Sequence, residues 1–334
     1  MTEMVERRFP YRIIPGVLIS LLALAVLFWI SDAEKLLAGL KGVDIKVLIV
    51  SVMMVILSLF ARAYSWREIL AERVSLQHSF LIINAGYFVN TVLPFRLGEI
   101  ARALMLRPAG LGFWEALPAV ALERMIDVII GFSLLILSLP SAMTSEVNVV
   151  YSFLMIGIVA VGILVIFLMV RFRDRILAWL DKSRFSGSRL FTRAVQLYKS
   201  VLEGFLVLSS PGRLIKVFLG MGLCWALAVL FQFILLRSFI PEAKLIWAAF
   251  TMGAVAVGVS IPSSPGNIGL YEGSITLALS AFGVDPSLAL SYALTSHLLN
   301  LGITTGFGVY GLVRIGVGLR DIWQFGRQKK GEKI

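Results

Sequence analysis

Three short stretches hold most of the polar chemistry in an otherwise oily chain. Residues 90–106, "NTVLPFRLGEIARALML", set Asn90, Arg96, Glu99 and Arg102 around Pro94 and Gly98. Residues 115–131, "EALPAVALERMIDVIIG", carry Glu123, Arg124 and Asp127. Residues 260–274, "SIPSSPGNIGLYEGS", carry Ser263, Ser264, Asn267 and Glu272 among Pro262, Pro265, Gly266 and Gly269. His297 and Asn300 follow in "SHLLNLGITTGFGVYG". Arginine forks grip phosphate or carboxylate with two hydrogen bonds at once. The acids can pair those arginines, bind a cationic group or carry protons.

Spacing sharpens this. Pro94 cannot donate a backbone hydrogen bond and Gly98 is flexible, so the chain can unwind there. On a helix starting near Gly98, Glu99 and Arg102 share a face, and an acid in that first turn suits the helix N-terminus. Glu123 and Asp127 are four apart, and Arg124 pairs with Asp127 at i, i+3. Two acids against one base call for a cation from elsewhere, and Arg96 or Arg102 is the natural candidate. A helix starting near Asn267 would turn free N–H groups toward an anion. His297 has no second ligand at metal spacing, so a bond to a neighbouring helix or to Glu272 is expected, and no metal. Plainer readings stand beside each of these: ion pairing at the headgroup level, an interhelical bridge, a tight turn between packed helices. Gly302 and Gly306 have the spacing of close helix packing.

These residues sit among apolar blocks. The chain has 334 residues, 58% hydrophobic and 15% charged. A soluble domain needs more polar surface than that. Apolar blocks run 13–30, 47–60, 116–140, 149–170, 214–236, 245–261, 268–282 and 287–313, several near the roughly 20 residues of a membrane-spanning helix. The fold class expected is all-α, a polytopic membrane protein. The first block is too long for a cleaved signal and lacks a cleavage site. The single cysteine, Cys224, excludes an internal disulfide.

The net charge of +11 maps onto topology rather than nucleic acid. Basic residues gather at the N-terminus, in 61–79, in the amphipathic loop 171–212 and in the tail 314–334. Such clusters mark the cytoplasmic side and attract anionic lipid, so both termini are expected inside, at the plasma (inner) membrane. Parity then makes the segment 80–106 re-entrant from the cytoplasm. The segment 245–282 is either re-entrant from outside or two full spans. Broken segments of opposite entry, one in each half, point to an inverted repeat, 47–170 and 214–313, within a single transmembrane domain. Both breaks read proline, glycine, then glutamate.

The motifs "NTVLPFRLGEIAR", "LERMID" and "PSSPGNIGLYE", in that order, resemble the lysylphosphatidylglycerol synthase transmembrane-region family over roughly 45–313. That family includes the flippase domain of the multiple peptide resistance factor. The resemblance implies a lipid-translocating fold with two re-entrant elements. It carries over to Asn90, Pro94, Arg96, Gly98, Glu99, Arg102, Glu123, Arg124, Asp127, Pro265, Gly266, Gly269 and Glu272. The soluble aminoacyl transferase domain that the resistance factor appends is absent here, so synthesis of a lysyl-lipid is not expected. Some relatives are fused to glycosyltransferases, which makes a polyprenyl-phosphate-linked sugar an alternative to a phospholipid.

The sequence holds no P-loop, no Gly-x-Ser-x-Gly and no His-Glu-x-x-His. A flippase binding an anionic or lipid-linked headgroup through the named polar residues is therefore expected ahead of an enzyme, with no cofactor. The alternatives are a membrane-embedded transferase subunit and an accessory partner of a separate glycosyltransferase. A homo-oligomer stays open.

Overall fold

The computed structural model describes residues 42–93, 96–142, 210–260 and 265–316, with isolated positions 34, 172 and 175. The blocks 13–30 and 149–170, nearly all of the loop 171–212, the tail beyond Gly316, and Pro94, Pro262, Ser263 and Ser264 lie outside the described residues. Eight α-helices stand among the described residues. These are α1 (Ile45–Ile69), α2 (Leu76–Val92), α3 (Leu97–Met105), α4 (Phe113–Ser138), α5 (Pro211–Phe239), α6 (Leu245–Gly258), α7 (Leu270–Ser280) and α8 (Pro286–Ile315).

Local chemistry starts several of them. Asp44 accepts from the Lys46 amide at 2.8 Å ahead of α1, and Ser75 from the His78 amide at 3.2 Å ahead of α2. Asp285 caps α8 beside Pro286, whose missing N–H costs nothing in the first turn. Gly316 ends α8 in the left-handed conformation.

Three helices, Ile45–Ile69, Gly212–Phe239 and Pro286–Ile315, are long and apolar enough to cross a membrane. α4 has the length, at 26 residues, but carries Glu115, Glu123, Arg124 and Asp127. The outward faces are oily: Leu219, Leu277, Leu298 and Val313 are strongly exposed, which suits lipid and not water. With the matched family reported below, this makes the chain a multi-pass helical membrane protein.

The other four helices are short. α3 has 9 residues and α7 has 11, about 14 and 17 Å long. Each doubles back on its predecessor. Gly86 and Asn90 of α2 meet Gly98 and Arg102 of α3. At one end of the second pair, Trp247 of α6 stacks on Phe282 beyond α7; at the other, Gly258 faces Ser274. Both pairs are therefore antiparallel.

Helices in lipid gain little from the hydrophobic effect and associate through small residues. Ser51, Ser58 and Ser65 recur every seventh residue of α1, all buried. Ser65 donates to the Val217 carbonyl at 3.0 Å and abuts Gly220, while Glu68 meets Lys216 at 3.6 Å. α1 and α5 thus run antiparallel. α2 packs on α8, where Gly308 and Gly311 touch the backbone of Asn84 and Leu81. α6 packs on α4, where Gly253 meets Leu135 and Gly131 meets Ala256. Gly302 and Gly306 make no close packing contact among the described residues. A Cβ on either would meet open space among the described residues.

Two boundaries differ from the sequence reading. α1 continues through Ile69, so Arg62 lies inside a helix and not in a connection between helices. Its buried partners, described next, keep the charge there. α7 begins at Leu270, not near Asn267, and Pro265–Asn267 form a 3₁₀ turn.

Candidate functional site

The two breaks meet. Arg96 donates to the Val259 carbonyl at the end of α6, and Gly266 lies against Thr91. The backbone conformations also match. Arg96 and Asn267 both have left-handed φ, 52° and 55°, and each stands two residues after a proline and two before a glycine. That register sets Ala101, not Glu99, opposite Glu272, so the glutamates of the two motifs are not equivalent. Each glycine N–H is capped differently. Gly98 donates to Asn90 Oδ1 at 2.7 Å, and Gly269 to Glu272 Oε2 at 2.7 Å. The Gly269 N–H is therefore already occupied, and the expected anion site at the start of that helix has lost this donor.

A cavity of about 330 Å³ opens at this junction. Asn90, Arg96, Glu99, Arg124, Asp127, Asn267, His297 and Asn300 line it. Its apolar wall includes Leu59, Val128, Phe132, Phe231 and Val255. Val128 and Phe132, two of these lining residues, are exposed. Unwound backbone at membrane depth is tolerated where it lines such a space.

The polar wall is part of an ion network, in which Arg62 also lines the cavity. Arg62 donates to Glu123 at 2.8 Å and to both Asp127 oxygens at 2.9 Å. Trp225 donates to Asp127 at 3.0 Å. Arg102 pairs with Glu123 and stacks over Trp66 at 4.5 Å. Arg124 lies 3.0 Å from Glu99 and 3.2 Å from Asp127, with its Nε short of hydrogen-bond geometry. Arg96 is 3.8 Å from the same Glu99 oxygen. Four arginines face three acids, a net +1.

Burial sorts the expected residues. Arg102, Glu123 and Glu272 are buried and do not line the cavity. Their charges are consumed by partners, because an unpaired charge there would be costly. Arg102 thus parts from Arg96 and Glu99, with which it was expected to share a cavity face. Glu272 holds His297 at 2.6 Å, and Tyr271 stacks on that ring at 4.2 Å. Arg96 and Arg124 keep 31% and 27% of their side chains exposed.

Sequence reasoning missed Arg62, the residue that binds both Glu123 and Asp127. It sits where an apolar block ends, which imitates a cytoplasmic boundary. The seven-residue serine recurrence carried the signal, since Arg62 falls one turn past Ser58 on the same buried face. Gln232, bonded to Tyr271 at 2.9 Å and to Tyr292, was also missed, as was the cavity-lining Cys224. Among the described residues no three His, Cys, Asp or Glu side chains gather to hold a metal ion.

Residues 13–308 match the family described as the lysylphosphatidylglycerol synthase TM region. A curated relative, "Glycosyltransferase AglD" of Haloferax volcanii, is 25% identical over 92% of this chain and 55% of its own length. The chain thus spans about half of that relative. No solved structure matches. With nearly 300 consecutive residues matched, including both breaks and the acidic helix between them, the chain belongs to the lysylphosphatidylglycerol synthase transmembrane-region family.

Proposed function

We propose that the protein is a lipid flippase that moves an anionic or lipid-linked headgroup across the plasma (inner) membrane. The observation that carries this is the cavity where the two helix breaks meet. Its arginine-bearing side suits a headgroup, and its apolar side, with exposed Val128 and Phe132 of α4, suits a lipid tail. A charge at the bilayer centre costs about 2.5–3.5 kcal/mol on insertion scales, and a polar cavity at that depth lowers the cost of its passage. Asn90, Arg96, Glu99, Arg124, Asp127, Asn267, His297 and Asn300 then touch the headgroup, while Arg102, Glu123 and Glu272 hold the wall. Ser263 and Ser264, in the second break by sequence, are further candidates for headgroup hydrogen bonds.

In this reading both hairpins, 80–106 and 245–282, are re-entrant and the halves 47–170 and 214–313 form an inverted repeat. The packing supports it. Exchanging α1–α4 with α5–α8 carries α1·α5 onto itself and the α2·α8 pair onto α6·α4. α1 and α5 are antiparallel, so the axis relating the halves lies across the helices, in the membrane plane. The distribution of Lys and Arg sets both termini in the cytoplasm.

The name of the Haloferax volcanii relative adds a class of partner, a separate glycosyltransferase that makes or consumes the translocated lipid. The test is translocation in proteoliposomes containing the full chain and a fluorescent anionic lipid, read by quenching of the outer leaflet. Movement above protein-free vesicles is expected. Movement equal to them refutes the reading.

A further inference from the structure

The cavity takes one sign of headgroup, and the ion pairing decides which. Each carboxylate near it already has cationic or N–H partners. Asp127 is held by Arg62, Trp225 and Arg124. Glu99 lies between Arg124 and Arg96. Glu272 spends one oxygen on His297 and the other on the Gly269 amide. Glu99 is the least tightly held of them: both of its ion pairs run through one oxygen, at 3.0 and 3.8 Å.

The cations are less committed. Arg96 makes one hydrogen bond, to a carbonyl, and a long ion pair. Arg124 makes two ion pairs, neither with hydrogen-bond geometry. Both guanidiniums lie within 3.8 Å of the same Glu99 oxygen, so that carboxylate holds two forks side by side. Two adjacent forks with spare N–H donors match the oxygens of a single phosphate. The network's excess of +1 favours the same sign.

Size and polarity narrow the ligand further. A cavity of about 330 Å³ is at the small end of the range for ligand pockets. Its apolar wall, with Val128 and Phe132 exposed in it, suits a hydrocarbon tail.

We infer that Arg96 and Arg124 form a phosphate clamp, and that the substrate is a lipid with a small phosphate head. This rests on the flippase reading and specifies its cargo. An aminoacylated, cationic head would meet the positive excess of Arg62, Arg96 and Arg124, which all line the cavity.

The test uses the full chain in detergent and four probes: farnesyl phosphate, farnesol, inorganic phosphate and lysyl-phosphatidylglycerol. Farnesyl phosphate should bind and raise the melting temperature. Each of the other three should bind at least tenfold more weakly. Arg96→Asn keeps a residue type that tolerates left-handed backbone, as Asn267 does, and Arg124→Gln keeps length and polarity. Each should weaken farnesyl phosphate at least tenfold, with the ligand-free melting temperature reporting whether the fold is kept. Lysyl-lipid binding as tight as farnesyl phosphate would overturn the inference, and so would unchanged phosphate-lipid affinity in folded Arg96→Asn and Arg124→Gln. Inorganic phosphate binding as tightly as farnesyl phosphate would overturn its lipid part. In proteoliposomes, movement of the lysyl-lipid alone overturns the clamp and leaves the flippase standing. Movement of neither lipid overturns the flippase reading and the clamp with it.

Discussion

Replacing Arg62 with methionine isolates what the buried network contributes. The side chain is only 11% exposed and makes three hydrogen bonds, at 2.8, 2.9 and 2.9 Å, to two carboxylates. Breaking a buried pair costs roughly 3–5 kcal/mol, because the surviving charge stays buried. Here each acid keeps other partners: Arg102 for Glu123, and Arg124 with Trp225 for Asp127. The lower end, about 3 kcal/mol, is therefore expected, or about a hundredfold in the folding equilibrium. Arg124→Met removes longer, partly exposed pairs and should cost only about 1 kcal/mol. Thermal unfolding of the purified variants in one detergent measures the order. Arg62→Met should melt lowest, Arg124→Met just under the wild type, and Arg62→Met with Asp127→Asn should recover part of the loss. Arg62→Met melting with the wild type, or below it by less than Arg124→Met, would refute the assignment of Arg62 as the main neutraliser.

Other outcomes follow from the breaks. Gly98→Ala places a Cβ against the Gly86 carbonyl and 2.6 Å from Asn90 Oδ1, where backbone cannot give way. Loss of monodisperse protein in size-exclusion chromatography is expected. Asn90→Ala removes the cap on the Gly98 amide, and a loss of about 1 kcal/mol should appear as a lower melting temperature. Thr91→Cys with Gly266→Cys, on a Cys224→Ser background, should crosslink through the shortest thiol reagents, since a Cβ on Gly266 would lie 3.8 Å from Thr91. Absence of that crosslink in intact membranes would separate the two breaks.

Much of this architecture was legible because membrane chemistry is strict. Proline and glycine inside apolar blocks mark unwinding, and "LERMID" marks a charge cluster that needs partners. Both features appear at the cavity junction. Other features depended on three-dimensional contacts. Arg102 and Arg96 are equally polar in sequence, yet one is sealed against Trp66 and the other faces the cavity. That follows from the left-handed turn at Arg96, which sets where α3 begins and which face Arg102 presents to α1. Glu99 and Glu272 looked alike because each follows a glycine. The spacing differs, by one residue against three, and only the latter lets the carboxylate fold back onto the glycine N–H. Gly302 and Gly306 carried the expected packing motif, but among the described residues Gly308 and Gly311 make the close approach. Glycine spacing alone does not say which face of a helix meets a neighbour.

The central claim is that headgroups pass through the cavity where the breaks meet. Plugging it is the most direct measurement. Ala228 lines the cavity, so Ala228→Cys with Cys224→Ala supplies a single thiol in its wall. Proteoliposomes with this variant should translocate fluorescent anionic lipid before labelling and fall to the rate of protein-free vesicles after a bulky thiol reagent has reacted. Labelling shown complete by mass spectrometry, with lipid still moving at the unlabelled rate, would contradict the account.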